Sequence, residues 1–425
     1  MNEKNYYLRF KRGIHILQEM KYPEYPAEKT IRKQQEMLRG MLLYATEHCE
    51  YYRRLGIDTP ELNRFPILTK QLIKDNFEAL TSDEKNRFIY WDAYTGGSTA
   101  EPLHFLQQSC IDLPYMTWLW KHMGYRKGDV IVAMSGTRVP EDDLKKHIYW
   151  TSDTGKDIPY GRIDMSSLYF NNDTARYYID RLNLEKPRFI RGYASFIYDF
   201  SRYLLDNGIE LQFVPDMIQL TSESSFDYQY RVIKEAFKTQ KITLQYGHSE
   251  SIVFAYTYDD SFEYVSEPLY GFIEILDEDG NAVSEGECGE VTVTTLYNKV
   301  MPLIRYKTGD LAERGRTVDG KLHLNRVIGR TQDYIIDRAG NKSPVTALIQ
   351  HFKDLDGVAK WQLEQHEAGK VIMHIIRTDN YSDRDEAKLL DLFNKDGNVD
   401  IQFDFVDNIP KTPRGKSPML IQHLN

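Results

Sequence analysis

The chain has 425 residues, enough for roughly two or three domains and a substantial core. Its net charge of −9 argues against a nucleic-acid binder and against attraction to an anionic membrane surface. Its three cysteines, Cys49, Cys110 and Cys288, lie too far apart for a disulfide framework or a metal-ligand spacing, so reduced structural cysteines in a cytoplasmic protein are expected.

Taken in order, Met1 to Arg12 holds no apolar signal region, and no apolar run is long enough to span a bilayer. From Thr30 to Arg54, Ile31, Met37, Leu38, Met41, Leu42 and Ala45 recur at helical spacing, which predicts an amphipathic helix. Thr69 is placed to cap a short helix running to Leu80. Phe88 to Tyr94 reads as a strand delivering a loop, and Leu103 to Phe105 as the strand leaving it. Asp129 to Ser135 is a short apolar strand. Thr137 to Ile163 is charged and irregular and carries no assignment.

Arg188 to Tyr193 is a strand holding Gly192 near its end, and Ala194 to Asn207 a helix stopped by Gly208. Ile242 to Tyr246 is a strand ending in Gly247. This alternation predicts a mostly parallel sheet with helices against it, where ligands bind beyond the carboxyl ends of strands. After Tyr264 the period changes. Gly271 to Asp277 and Gly289 to Leu296 alternate apolar and polar residues, which predicts antiparallel strands in a β subdomain. Beyond Gly329–Asp333 the chain restarts as a compact unit. Ser343 and Pro344 look like an N-cap and first helical residue, with Val345, Leu348, Ile349 and Phe352 following on one face. Strands at Ala359–Glu364, Val371–Arg377 and Ile401–Phe405 and a helix at Asp385–Asn394 complete it. The expected fold class is therefore α/β plus α+β. A large N-terminal α/β domain with a β subdomain covers 1–330, and a small mobile C-terminal α+β domain covers 331–425.

Five stretches carry chemistry. Thr95, Gly96, Gly97, Ser98 and Thr99 form a loop whose glycines admit an anion to the main chain and whose hydroxyls add donors. No Gly-Lys-Ser/Thr follows, so it is not a Walker loop; a plain turn between strands is the other reading. Tyr246, Gly247, His248, Ser249 and Glu250 put a carboxylate just past a strand end. It suits Mg²⁺, or else the start of a helix. Asp310, in Arg305–Asp310, closes the β region in a turn and could accept from two ribose hydroxyls, or from its own backbone. Arg330 could reach ribose or phosphate, or be a solvated linker arginine. Lys416 lies in an irregular basic tail, where a solvated terminal lysine is the other reading.

In this order the stretches resemble the signature motifs of the adenylate-forming superfamily, the acyl-CoA synthetases and their relatives. Thr95–Pro102 looks like the phosphate loop, Tyr246–Glu250 like the aromatic-Gly-x-Thr-Glu motif, and Arg305–Asp310 like the Tyr-Arg-Thr-Gly-Asp motif. Gly329–Asp333 resembles the hinge, and Pro410–Lys416 the terminal lysine motif. His48–Tyr52, Arg191–Ala194 and Tyr246–Glu250 point more narrowly to the phenylacetate–CoA ligase-like, capsule-polysaccharide-cluster branch. Ala100, Glu101, Ser249, Lys307 and Gln332 depart from the usual residues.

The resemblance implies an AMP-forming acid–thiol ligase using ATP, Mg²⁺ and, as acceptor, coenzyme A. It implies that Thr95, Ser98 and Thr99 hold the β- and γ-phosphates, with Glu250 and Thr99 at the metal. Asp310 and Arg330 would take the ribose. Lys416 would bridge the carboxylate and α-phosphate on a small domain that rotates between half-reactions. The substrate is expected to be a small carboxylic acid. Aromatic residues around Arg191–Tyr193 and Gln245–Val253 make an aryl acid plausible, and a homodimer stays open. Two alternatives remain at this stage: a ligase with an amine, sugar or protein acceptor, and a catalytically silent nucleotide-binding assembly protein.

Overall fold

The computed structural model describes residues 25–95, 103–108, 112–126, 128–152, 163–330, 333–345, 357–394, 397–412 and 415–424. They fall into two compact units. One gathers the described residues of Met1–Asp129 and Thr243–Ile328; the other gathers those of Val130–Lys156, Gly161–Ile242 and Gly329–Asn425. Among the described residues no helix is long and apolar enough to cross a membrane.

In chain order the longer helices are α1 (Ala27–His48), α2 (Asp112–His122), α3 (Ala175–Glu185), α4 (Ala194–Asp206), α5 (Asp227–Phe237) and α6 (Asp383–Asn394). The strands begin with β1 (Tyr90–Tyr94), β2 (His104–Gln108), β3 (Ile131–Ser135), β4 (Trp150–Ser152), β5 (Ile163–Ser166), β6 (Phe189–Tyr193) and β7 (Met217–Thr221). They continue with β8 (Ile242–Gly247), β9 (Phe254–Tyr256), β10 (Tyr264–Ser266), β11 (Gly271–Leu276), β12 (Cys288–Thr295), β13 (Tyr306–Val318) and β14 (Lys321–Arg330). Last come β15 (Tyr334–Ile336), β16 (Lys342–Pro344), β17 (Val358–Glu367), β18 (Lys370–Arg377), β19 (Asp400–Phe405) and β20 (Leu420–Gln422).

In the first unit α1 follows the apolar spacing and buries Met41, Leu42 and Ala45. Just past it, the buried Tyr52 hydroxyl donates to Pro302 O at 2.9 Å and ties the helical segment to the β region. Thr69 caps Lys70–Asp75, its hydroxyl oxygen accepting from Leu72 N–H at 3.2 Å. β1 and β2 pair antiparallel up to Tyr94↔His104. The remaining strands run in the order β11-β12-β13-β14-β10-β9-β8. The alternating segments pair antiparallel as β11 and β12, from Gly271↔Thr295 to Leu276↔Glu290.

In the second unit β7, β6, β3 and β5 are neighbours and parallel, with β4 antiparallel on β5. β7 is buried along its whole length, as a parallel strand covered on both faces must be. α4 buries Phe196, Ile197, Phe200 and Leu204 on one stripe. Gly192 lies within β6, and its role is close approach: a Cβ there would meet Met134 O at 2.2 Å.

The last part of this unit has a sheet of its own, in the order β19-β18-β17-β20. Its core is Ile335, Val345, Leu363, Val371, Met373, Ile375, Leu389, Phe393 and Leu420. Here one expectation is corrected. Ser343 and Pro344 are not themselves the cap and first helical residue: they end β16, which pairs with β15 through Ile335↔Ser343, and the helical state begins directly after them at Val345. The turn between these strands decides it. Asp337 Oδ1 accepts from Ala339 and Asn341 N–H at 2.8 Å each, and Gly340 supplies a positive φ of 86°. The expected helical face at Leu348, Ile349 and Phe352 lies outside the described residues.

Candidate active site

Two segments of the first unit meet at the candidate site. One is the end of β8 and the turn after it, Tyr246 to Ser251. The other is the start of β13, Tyr306 to Asp310. Each segment's tyrosine holds the other's carboxylate. The Tyr246 hydroxyl donates to Asp310 Oδ2 at 2.9 Å, and the Tyr306 hydroxyl donates to Glu250 Oε1 at 3.1 Å. His248 Nε2 lies 2.8 Å from the Tyr246 hydroxyl and 3.1 Å from Asp310 Oδ2. Its ring meets Tyr246 edge-on, with centroids 5.1 Å apart. Burial, together with the neighbouring Asp310 charge, pushes the Tyr246 phenol well above its ordinary range, so it stays a donor.

Backbone strain marks both segments. Ser251 has φ 54° directly after Glu250, and Arg305 has φ 52° directly before Tyr306. Non-glycine residues in this region are costly, and they gather where a structure needs them. Arg305 is held there by a paired contact to Glu274, Nε to Oε2 and Nη2 to Oε1 at 3.2 Å each. Leu68 braces the same place: its N–H donates to Arg305 O and its carbonyl accepts from Lys307 N–H, both at 2.9 Å. Lys307 itself pairs with Glu290 at 3.1 Å.

Asp310 does not close a turn. It lies inside the 13-residue strand β13. The β12–β13 register jumps from Glu290↔Leu311 to Thr292↔Lys307, so extra residues of β13 bulge opposite Val291. Gly309 takes φ 82° at the bulge, and the Thr308 hydroxyl donates to Val291 O at 2.8 Å. Thr308 Oγ1 accepts from Asp310 N–H at 3.1 Å. A bulge re-aims a side chain while the strand continues, which gives Asp310 a rigid mount.

Glu250 does not begin a helix. Gly247 ends β8, His248–Ser251 turn, and β9 follows. Glu250 is only 4% exposed, and among the described residues no cation pairs with it. A buried carboxylate without a cationic partner is costly, and a hard divalent cation would relieve it. The residues present therefore fit Mg²⁺ at Glu250; Thr99, the other expected ligand, lies outside the described residues. Asp310 is 8% exposed and fits the acceptor role towards paired hydroxyls. Thr95 is buried and closes the β1–β2 hairpin: its N–H donates to Leu103 O at 3.0 Å, and its Oγ1 accepts from Leu103 N–H at 2.9 Å. Gly96, Gly97, Ser98 and Thr99 lie outside the described residues, as do Ala100, Glu101 and Gln332.

The second unit holds the other expected residues. Arg330 ends β14. Lys416 is seated on the loop after β7: its Nζ donates to Ser222 O at 2.8 Å and lies 5.3 Å from the centre of the Tyr193 ring. Ser222 has φ 68°, another strained residue beside an expected functional group. The tail is fastened on both sides of the lysine. Ser167 Oγ donates to Gly415 O at 2.8 Å, and Ser417 N–H donates to Glu223 Oε1 at 3.3 Å. Further back, Lys411 Nζ donates to Ser167 O at 2.7 Å.

Three residues escape a reading of the sequence. Tyr306 lies inside a recognised motif, but only the fold brings it to Glu250. Glu223 accepts from Ser195 N–H at 2.8 Å and Ser195 Oγ at 3.0 Å besides Ser417; burial pushes its carboxyl up, against the pull of these bonds and of Lys416. Ser167 holds the lysine tail from a segment with no local motif.

A family model, the CapK C-terminal domain, matches residues 335–423. Protein CapK of Staphylococcus aureus is 26% identical over 405 residues, covering 90% of this chain and 86% of that one. The phenylacetate-coenzyme A ligase of Thermus thermophilus is 38% identical over 79 residues, 17% of each chain. The solved structure of 2-hydroxyisobutyryl-CoA ligase in the postadenylation state, in complex with 2-HIB-AMP, superposes with a TM-score of 0.70. It is 15% identical and covers 93% of this chain and 90% of that one. That likeness carries the fold, a large N-terminal domain on a mixed sheet with a separate small C-terminal α/β domain. In sequence the chain is thus similar to protein CapK over most of its length and to a phenylacetate-coenzyme A ligase over a short stretch, and its fold is that of the adenylate-forming enzymes.

Proposed function

We propose that this chain is an AMP-forming acid–thiol ligase that activates a small carboxylic acid with ATP and passes the acyl group to coenzyme A. The observation that carries this reading is the crossed arrangement of Tyr246 on Asp310 and Tyr306 on Glu250. It holds two buried carboxylates still, one suited to ribose hydroxyls and one to a divalent cation. The partial match to a phenylacetate-coenzyme A ligase supports the thiol acceptor.

In the first half-reaction a carboxylate oxygen of the acid attacks the α-phosphorus of ATP. The bond from that phosphorus to the bridging oxygen breaks, and pyrophosphate leaves with the electron pair. In the second, the thiolate attacks the acyl carbon and AMP leaves. Asp310, with Arg330, holds the ribose, and the loop from Thr95 to Thr99 takes the β- and γ-phosphates. Glu250 holds Mg²⁺, which when bound neutralises phosphate charge. Lys416 offsets the charge gathered on the attacking carboxylate and α-phosphate. The division of labour is a nucleotide- and acid-binding domain over 1–330 and a lysine-bearing lid over 331–425.

ATP–pyrophosphate exchange with a panel of small acids, aryl acids included, tests this reading. Acid-dependent exchange followed by thioester formation with coenzyme A is the expected result. Exchange without a thioester would move the acceptor to an amine, a sugar or a protein. No exchange with any acid would leave a nucleotide-binding protein without adenylation chemistry and overturn the proposal.

A further inference from the structure

The small sheet β19-β18-β17-β20 carries a row of titratable side chains that the adenylation reading does not use. Its register puts them on one face. A register shift follows Glu364 on β17, and Glu364 and His366 still lie together, in contact with each other on either side of the buried Gln365. Glu364 pairs with Ile421 of β20, and His423 lies two residues beyond Ile421 on the same side. Gln362, two before Glu364, pairs with His374 of β18, and His374 pairs with Asp404 of β19. The opposite face holds Leu363, Met373 and Ile375 and is the core, so the row looks outward.

The contacts within the row converge on Glu364. His366 Nε2 and His423 Nε2 lie 2.8 and 2.9 Å from Glu364 Oε1. Their rings are stacked, with centroids 3.9 Å apart and planes 6° from parallel. His374 Nε2 lies 2.9 Å from Glu364 Oε2, and His374 Nδ1 lies 2.8 Å from Asp404 Oδ2. One ligand atom from each of Glu364, His366 and His423 lies within 4.8 Å of the others. The remaining oxygen of Glu364 is oriented by His374, and His374 by Asp404. This carboxylate–imidazole–carboxylate relay is the outer support that metal-ligating groups need.

We propose that Glu364, His366 and His423 form a site for a divalent transition-metal ion of the zinc class, with His374 and Asp404 orienting the carboxylate. Two imidazoles and one carboxylate are a ligand set zinc accepts, with the outward side completed by water. Harder Mg²⁺, which takes oxygen ligands, is rejected. On binding, each imidazole gives its Nε2 lone pair to the metal. A ring that carries its proton on Nε2 takes it on Nδ1 instead. Two ligands come from β17 and the third follows β20, so the ion staples the last strand to its neighbour, just downstream of the tail that carries Lys416. This inference is independent of the adenylation reading.

The test uses the full chain, stripped with a chelator and titrated with ZnCl₂ at neutral pH by calorimetry. One equivalent is expected to bind, undisturbed by a large excess of Mg²⁺. The double variant His366→Ala, His423→Ala should lose that equivalent, and His374→Asn should weaken it by about 10–100-fold at unchanged stoichiometry. Hydrogen exchange on the unaltered chain needs no variant: zinc should protect the β20 amides. Absence of saturable binding, equal binding by the double variant, full competition by Mg²⁺, or unchanged exchange at β20 would each overturn the site.

Discussion

At the residue scale, the site rests on carboxylates that neighbouring groups hold in place. Asp310 accepts from Tyr246, and a ribose would add two further donors to a charged acceptor. Asp310→Ala is therefore expected to weaken ATP binding by about 1.5–3 kcal/mol, the size of hydrogen bonds to a charged group. Calorimetry on the variant checks it, and unchanged affinity would remove Asp310 from the site. A different carboxylate predicts a pH effect. Glu267 is buried at the end of β10, where Lys321 Nζ at 3.2 Å and the Tyr256 hydroxyl reach its Oε1. Burial pushes its carboxyl up to about 7, against the pull of Lys321. The folded chain thus holds this proton more tightly than the unfolded chain does. The resulting stability is full below the ordinary value of 4.5 and is lost as pH rises through about 7. From about pH 5 to about pH 8 the melting temperature of the parent should fall more than that of Glu267→Gln. Parallel melting curves for the two would show that Glu267 does not titrate in this range.

At the element scale, the tail that bears Lys416 depends on one close approach. Gly415 has φ 75°, and a Cβ there would lie 2.0 Å from Ser167 Oγ and 2.9 Å from the Gly136 Cα. A side chain would meet both a strained backbone and a filled space. Gly415→Ala should lift the tail, break the Ser167–Gly415 bond and unseat Lys416 from Ser222. Exchange activity is expected to fall towards the level of a lysine-less enzyme, and Ser167→Gly, which removes the donor to Gly415 O, should lower it in the same direction by a smaller factor. Full activity in Gly415→Ala would mean the tail does not need this seat. The same scale explains two expectations that changed. Ser343-Pro344 carries the local chemistry of a helix start, and the helical state does begin at Val345, but the Asp337–Asn341 turn commits Ser343 and Pro344 themselves to a strand pair. Asp310 follows a glycine, as turn aspartates do, but pairing with β12 absorbs the glycine as a bulge.

At the scale of the whole molecule, the proposed chemistry asks Lys416 to serve only one half-reaction. Lys416→Ala should reduce adenylation by roughly 10²–10³-fold, as the loss of one preorganised charge-stabilising donor does. ATP binding should change little, because the residues proposed to hold the nucleotide and its metal, Asp310, Arg330 and Glu250, are untouched. Transfer from a supplied acyl-adenylate to the acceptor should survive. Supplying that adenylate directly and measuring product separates the halves. Equal loss in both, or in neither, would rule out domain alternation for this chain.

The sequence by itself determined what short-range patterns encode. Helical spacing placed α1 and α4, alternation placed β11 and β12, and glycine-bounded runs placed β6 and β8. The motifs in their order singled out Glu250, Asp310 and Lys416 as candidates through resemblance to a family pattern, since the local chemistry of each residue alone left a plainer reading open. Strands such as β7 and β14 went unassigned, since a buried apolar run or a long ladder strand looks the same as many other segments until its neighbours are known. Only the tertiary structure decided how the residues are held. The bulge at Gly309, the pairing of Tyr306 with Glu250, the seat of Lys416 on Ser222 and the row from His366 to Asp404 all join residues far apart in the chain. Their positions follow from sheet register and packing, and a single sequence leaves those contacts unwritten because local propensity carries no record of which strands become neighbours.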